Sequence, residues 1–194
     1  MSKQATILIV PGLRDHVSAH WQTLLAAEIP NSVTVPPLER DKLDCSARVA
    51  ALDAVFKRID GSVILVAHSA GVMIAVQWLK RHNRPIQGAL FATPPDFETP
   101  MPEGHSSMEA LNANGWLPVP RAVLPFPCIV AASRNDPLAS FDRVNKMASD
   151  WGARVVDLGN VGHLNPASGY GAWPKAHELI SQLKEDCMSK ALGV

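Results

Sequence analysis

The stretch Ser62–Leu79, SVILVAHSAGVMIAVQWL, decides the fold of this chain. Its first part contains the run Val63–Val66, which is short, uninterrupted and branched, as is typical of a strand buried on both faces of a parallel sheet. After AHSAG, the apolar residues fall at helical spacing: Val72, Met73, Ala75, Val76 and Leu79. We therefore expect Ser69 to lie where a buried strand turns sharply into a helix.

The motif at this turn, AHSAG at residues 67–71, matches the nucleophile elbow of α/β-hydrolases, whose usual form is G-x-S-x-G. Ala67 and Gly71 are small enough for the strand and the helix to pack closely around the bend. Such a bend holds the serine hydroxyl above the edge of the sheet. A serine in an ordinary turn is the alternative, but the strand before it and the helix after it favour a nucleophile at Ser69.

Strands and helices alternate along the chain. We expect strands at residues 5–10, 32–35, 63–66, 86–92, 127–132 and 154–158, and helices at 18–28, 46–59, after the elbow, at 138–151 and at 174–188. Ser18 is the expected N-cap of the first helix. The alternation predicts a single-domain α/β-hydrolase fold over residues 1–194. Its parallel sheet would have about six strands in the order 2-1-3-4-5-6, helices on both faces and no large cap domain.

The composition excludes several classes of function. Lys+Arg and Asp+Glu both number 18, so the net charge of zero gives no signal for nucleic acid or for an anionic membrane surface. The three cysteines, Cys45, Cys128 and Cys187, are far apart, which favours reduced thiols over disulfides or a zinc site. No apolar run approaches a membrane span of ~20 residues, and the N-terminal run is too short for a signal peptide. We expect a cytoplasmic protein that does not insert into membranes and uses no metal or cofactor.

A serine hydroxyl becomes a good nucleophile when a base takes its proton and a carboxylate orients that base. In this fold the three residues follow in the order Ser, Asp or Glu, His. His163, in a loop after the last predicted strand, is the best candidate base, and Asp136, in ASRNDP after the fifth strand, is the best candidate acid. A helix N-cap is the alternative role for Asp136, and Asp157 is the second candidate for the acid.

The oxyanion formed during acyl transfer needs backbone N–H donors. The expected donors are Ala70, directly after the nucleophile, and Leu13, in the turn that Gly12 permits after the first strand. His68 is next to Ser69 but should face away from it, because successive strand residues point to opposite faces. His20, at the first helix, is a weaker candidate for a catalytic role.

Residues 93–125 interrupt the alternating pattern. The segment is rich in proline and carries large apolar residues, among them Met108 and Trp116. Loops of this length in a compact domain are usually functional or mobile. We expect the segment to form a small cover over the active site, with Met108 and Trp116 in the substrate pocket. Packing at the sheet edge as ordinary core is the alternative.

The motifs together resemble the small serine hydrolases that include YdeN and retinoblastoma-binding protein nine. These motifs are PGL at 11–13 with HWQ at 20–22, AHSAG at 67–71, SRNDP at 133–137, and GHLN at 162–165 with SGYGAWP at 168–174. The resemblance covers almost the whole chain and implies a compact α/β-hydrolase with its triad at Ser69, Asp136 and His163. The chain departs from the pattern at Pro11, where many hydrolases have histidine, and at Ala67, where they have glycine.

These observations predict a serine hydrolase of the carboxylesterase type. It would cleave a small carboxylic ester or related acyl compound through an acyl-enzyme. The alternative is a protein-interaction module on a hydrolase scaffold with little or no activity, although the sequence identifies no protein partner. A nucleotide-binding Rossmann domain is excluded because the turn PGLRDH at 11–16 lacks G-x-G-x-x-G.

Overall fold

A parallel sheet forms the centre of the molecule. The computed structural model describes residues 4–192, with side chains as far as Cys187. Its strands are β1 (Thr6–Val10), β2 (Ser32–Thr34), β3 (Val63–His68), β4 (Ile86–Ala92), β5 (Cys128–Ala132) and β6 (Arg154–Asp157). They pair in parallel in the order β2-β1-β3-β4-β5-β6. The predicted α/β-hydrolase sheet and its strand order are confirmed.

Helices cover both faces of the sheet. They are α1 (Trp21–Glu28), α2 (Cys45–Phe56), α3 (Ala70–Leu79), α4 (Met108–Ala113), α5 (Phe141–Trp151) and α6 (Lys175–Leu192). Alternate residues of a strand point to opposite faces, so Leu65 packs in the core with α2, α3 and α5. Its neighbour Ile64 packs in the second core with α1 and α6. Because both faces are buried, the central strand reads as a continuous apolar run.

The first helix starts three residues later than the sequence predicts. Ser18 is not its N-cap. Residues 17–20 instead form a turn before the helix, in which the N–H of His20 donates to the carbonyl of Val17 at 3.0 Å. His20 is the cap instead, and its Nδ1 accepts from the N–H of Gln22 at 3.1 Å. An imidazole cap lies outside the usual preference for Ser, Thr, Asp and Asn, which explains the error.

The bounds of three other helices also differ from the prediction. Helix α2 ends at Phe56 rather than near Ile59, and helix α6 extends past residue 188 to Leu192. Helix α5 begins at Phe141 because Ser140 is its N-cap, accepting from the N–H of Arg143 at 3.3 Å. Residues 138–140 are consequently part of the loop after β5.

The segment 93–125 contains α4 and has two structural roles. Its inner part is core: Trp116 is fully buried, packs edge-on against Phe97 with ring centres 5.4 Å apart, and donates from Nε1 to the carbonyl of Leu43 at 2.7 Å. Its first part is joined to the loop after β5, because the N–H of Asp96 donates to the carbonyl of Leu138 at 2.9 Å. Arg143 also forms an ion pair with Asp96 at 2.6 Å. These bonds hold the start of the segment beside the carboxyl edge of the sheet.

In the described part of the chain, none of the helices combines the length and the apolar character needed to cross a membrane.

Candidate active site

The sharp turn between β3 and α3 presents Ser69. Its φ of 55° is uncommon for a residue other than glycine, so the backbone is held in a strained conformation of the kind that clusters at functional sites. Close packing enforces the turn: a Cβ on Gly71 would lie 2.1 Å from the carbonyl oxygen of Val10. This close approach explains why position 71, the second glycine of the G-x-S-x-G motif, has no side chain. The first glycine of the motif is replaced by Ala67, which is buried.

Three of the predicted site residues come together at this turn. The hydroxyl of Ser69 donates to Nε2 of His163 at 2.8 Å. The opposite ring nitrogen, Nδ1, donates to the two carboxylate oxygens of Asp136 at 3.0 and 2.9 Å. The Asp136 side chain is only 1% exposed and that of His163 only 9%. The serine is therefore within reach of a base whose tautomer is set by a buried carboxylate.

The loop after β5 holds the carboxylate of Asp136 in place. Oδ1 of Asp136 also accepts from the N–H of Leu138 at 2.9 Å, whereas Ser140 caps the helix that follows. Asp157, the second candidate, lies at the end of β6, where it accepts from Arg134 at 2.8 and 2.5 Å. This ion pair with Arg134 lowers the pKa of Asp157. Of the two carboxylates, only Asp136 is placed to orient His163.

The loop that carries His163 is fixed through its main chain. The N–H of His163 donates to Oγ of Ser168 at 3.0 Å, and the N–H of Gly162 donates to Oδ1 of Asn135 at 2.7 Å. Gly162 has a φ of 58°, and a Cβ there would lie 2.6 Å from Oγ of Ser168. Because Asn135 directly precedes Asp136, the loops that carry Asp136 and His163 are bonded to each other.

His68 is hydrogen-bonded to the main chain of His163. It is 5% exposed, and its Nε2 lies 2.9 Å from the carbonyl oxygen of His163. A carbonyl can only accept, so Nε2 of His68 carries the proton and donates. Burial, followed by the proximity of His163 and His20, holds the pKa of His68 well below its usual value. His68 is thus a neutral donor to the main chain of the base and does not bond the hydroxyl of Ser69.

The two expected oxyanion donors, Leu13 and Ala70, border the same cavity as Ser69. Neither backbone N–H has an acceptor among residues 4–192. The loop of Leu13 is clamped by the buried Arg48, which donates from Nη2 to the Leu13 carbonyl at 3.2 Å and from Nε to the Lys42 carbonyl at 2.8 Å. Arg48 also pairs with Asp15, two residues after Leu13. The loop is therefore held against α2, and the N–H of Leu13 has no acceptor among residues 4–192.

A cavity of about 340 Å³ opens above Ser69. Its apolar wall comes from the start of the 93–125 segment, from α4 and from the loop after β5: Pro95, Phe97, Met101, Leu111 and Leu138. The prediction that Met108 and Trp116 form the pocket is wrong, because neither borders the cavity. Trp116 is fully buried in the core, and Met108 lies at the first turn of α4, whose buried residue is Leu111.

Two residues around the site, Arg48 and His20, have roles that their local sequence does not indicate. Arg48 had no local signal, since a single arginine in an amphipathic helix is ordinary. His20 belongs to the HWQ motif, whose sequence does not indicate that the imidazole caps α1. Within the described residues, no group of three or more His, Cys, Asp or Glu side chains is placed to hold a metal ion.

Known proteins are similar to this chain in sequence and in fold. A family model described as serine hydrolase matches residues 7–182. Among solved structures, a protein described as a YdeN-like hydrolase from Pectobacterium atrosepticum is 26% identical, with a TM-score of 0.80 over 95% of this chain and 92% of that one. The ydeN gene product of B. subtilis is 16% identical, with a TM-score of 0.69 over 94% of this chain and 100% of that one.

An α/β superfamily hydrolase from Oenococcus oeni is 14% identical, with a TM-score of 0.66 over 96% of this chain and 93% of that one. At these identities, the B. subtilis and O. oeni structures show a shared fold and nothing finer. A search of curated proteins found no match.

Proposed function

Because this chain belongs to the serine hydrolase family, we propose that it hydrolyses a small carboxylic ester or related acyl compound through an acyl-enzyme on Ser69. The observation that carries the proposal is the hydrogen-bonded series from Ser69 through His163 to Asp136 at the floor of a cavity. An isolated serine hydroxyl is a weak nucleophile, and this series is the arrangement that activates it.

In the first half-reaction, Oγ of Ser69 attacks the acyl carbon while its proton passes to Nε2 of His163. The negative charge that develops on the carbonyl oxygen is stabilised by the N–H groups of Leu13 and Ala70. When the tetrahedral intermediate collapses, the bond from the acyl carbon to the leaving oxygen breaks. His163 returns its proton to that oxygen, and the alcohol departs. The acyl group is then an ester of Ser69.

In the second half-reaction, water takes the place of the alcohol. His163 accepts a proton from the water as its oxygen attacks the acyl carbon, and it then gives that proton back to Oγ of Ser69. The products are a carboxylic acid and the free enzyme, with one water consumed. Asp136 stays ionised throughout and stabilises the imidazolium that forms in each half-reaction.

The experiment that tests the proposal is the reaction of the purified protein with 4-nitrophenyl acetate and butyrate. We expect a rapid release of nitrophenol equal to the enzyme present, followed by steady turnover, and a mass increase equal to one acyl group on Ser69. The interaction-module alternative predicts neither a burst nor an acylated serine. Release at the rate of a heat-denatured sample would contradict the proposed function.

A further inference from the structure

One wall of the cavity carries polar side chains. The loop between β1 and α1 supplies it, with Arg14, Asp15 and His20 bordering the space above Ser69. Arginine offers five N–H donors and no acceptor. This wall therefore offers the substrate a positive charge and hydrogen-bond donors.

The charges on this wall are not balanced. Asp15 is the one carboxylate among the described residues that border the cavity, and it is already paired with Arg48 and, at 3.7 Å, with Lys42. Arg14 is exposed and forms no ion pair with any described residue. The negative charge of Asp136 lies behind the ring of His163. The cavity mouth consequently carries a cation that no carboxylate of the described residues neutralises.

His20 adds a hydrogen-bond donor, its Nε2–H group, to the same wall. Its Nδ1 is occupied as the acceptor that caps α1, so the ring proton is on Nε2, which has no acceptor among residues 4–192. Burial, followed by the charge of a protonated His163, lowers the pKa of His20 to about 4. The ring is therefore neutral near pH 7 and can donate from Nε2 without adding charge.

We propose that the substrate carries, besides its scissile acyl group, an anionic group such as a carboxylate, which Arg14 binds as an ion pair and His20 as a hydrogen-bond donor. The apolar part of the substrate packs against Phe97 and Met101. This inference rests on the proposed function and narrows it from esters in general to anionic esters. A charged pair at a partly exposed site contributes modestly, and charge-assisted hydrogen bonds add to it, so a preference of about fivefold is expected.

Two pairs of substrates test the inference, because the anion can belong to the acyl part or to the leaving group. Monophenyl adipate and its carboxamide analogue, the phenyl ester of adipamic acid, differ only in charge on the acyl side. The pair 4-acetoxybenzoate and 4-acetoxybenzamide differ in the same way on the leaving-group side. For each pair the measured quantity is the ratio of kcat/KM, carboxylate over carboxamide, after subtraction of the uncatalysed rate.

We expect a ratio of at least about five for one pair. The ratio should fall towards one as the ionic strength rises from about 0.01 M to about 1 M, which shortens the screening length from about 30 Å to about 3 Å. Arg14→Gln should bring the ratio to about one, and Arg14→Lys should keep part of it. Arg58→Gln is the matched control, because it removes the same charge from an exposed position outside the cavity and should keep the wild-type ratio.

His20→Asn isolates the hydrogen bond. Asparagine is a good N-cap, so α1 stays capped while the Nε2 donor is lost, and the ratio should fall about twofold to threefold. Hydrolysis of all four esters with ratios at or below one would overturn the inference and leave the proposed function standing. A wild-type ratio retained by Arg14→Gln or His20→Asn would overturn the role of that residue. Failure to hydrolyse any of the four, with no acyl-enzyme formed, would instead overturn the proposed function.

Discussion

His68 donates a hydrogen bond from Nε2 to the main-chain carbonyl of His163 at 2.9 Å, with the two imidazole rings 5.0 Å apart. The residue before Ser69 is thus bonded to the main chain of His163. Thr93 donates to the same carbonyl from Oγ1 at 3.4 Å. The ends of β3 and β4 therefore both support the loop of His163.

His68→Phe tests this support. The ring is kept and the donor is lost, so the His163 carbonyl keeps only the long bond from Thr93. We expect kcat to fall about tenfold or more with little change in KM, since small displacements of a catalytic group are costly. His68→Gln, which can still donate, should restore most of the activity. The control is His82→Phe, because His82 stacks on Trp78 far from the site, and an equal loss of kcat there would show that the effect is general destabilisation.

Asp136→Asn tests the orientation of the base. The amide can still accept from the N–H of Leu138, but its NH₂ group opposes the proton on Nδ1 of His163 and favours the wrong tautomer. We expect kcat to fall by about 10⁴, with a melting temperature close to that of the wild type. Asp157→Asn is the matched control: it breaks only the exposed ion pair with Arg134, so its kcat should be unchanged. The reverse pattern would make Asp157 the acid.

Met101→Ala tests the apolar wall of the cavity. The shorter side chain leaves room for a longer acyl chain, and each buried CH₂ is worth about 0.8 kcal/mol, or about fourfold in kcat/KM. A series of 4-nitrophenyl esters of increasing chain length should therefore shift its optimum to longer chains. Met108→Ala removes the same side chain from the same segment but outside the cavity. Its optimum should stay at the wild-type length, and equal shifts in both variants would contradict this description of the wall.

Arg48→Lys tests whether Arg48 holds the loop of Leu13, the expected oxyanion donor, in place. Lysine keeps the charge but cannot bond Leu13, Asp15 and the Lys42 carbonyl together. We expect kcat to fall about tenfold, less than the 10²–10³ lost when an oxyanion donor is removed. The control is Arg84→Lys, since Arg84 bonds the carbonyls of Phe56 and Ile59 at the other end of the sheet. It should lower the melting temperature without lowering kcat, and a drop in kcat for both variants would make the clamp purely structural.

The fold and the hydrogen-bonded placement of Ser69, His163 and Asp136 could be predicted from the sequence because their signals are local. Val63–Val66 has no polar residue to interrupt it, Gly71 must lack a Cβ where Val10 approaches, and the order of Ser69, Asp136 and His163 follows the connections of the sheet. Such features depend on a few neighbouring residues or on topology alone.

The pocket could not be predicted in the same way. Phe97, Met101, Met108 and Trp116 are all large, apolar and in one irregular segment, so their composition does not distinguish cavity wall from core. The distinction comes from distant partners: Leu43 accepts the Nε1 proton of Trp116. The N-cap of α1 was also not predictable, because the imidazole of His20 caps the helix in place of the predicted Ser18 hydroxyl.

The most direct test of the account is the reaction of the intact protein with a fluorophosphonate probe, read by mass spectrometry. Labelling requires an activated serine, so we expect one probe on Ser69 in the wild type, none in Ser69→Ala, and a loss of about 10⁶ in kcat on the best ester. Ser106→Ala, which removes a second serine bordering the cavity, should still be labelled. Labelling or near-normal turnover of Ser69→Ala would contradict the assignment of Ser69 as the nucleophile.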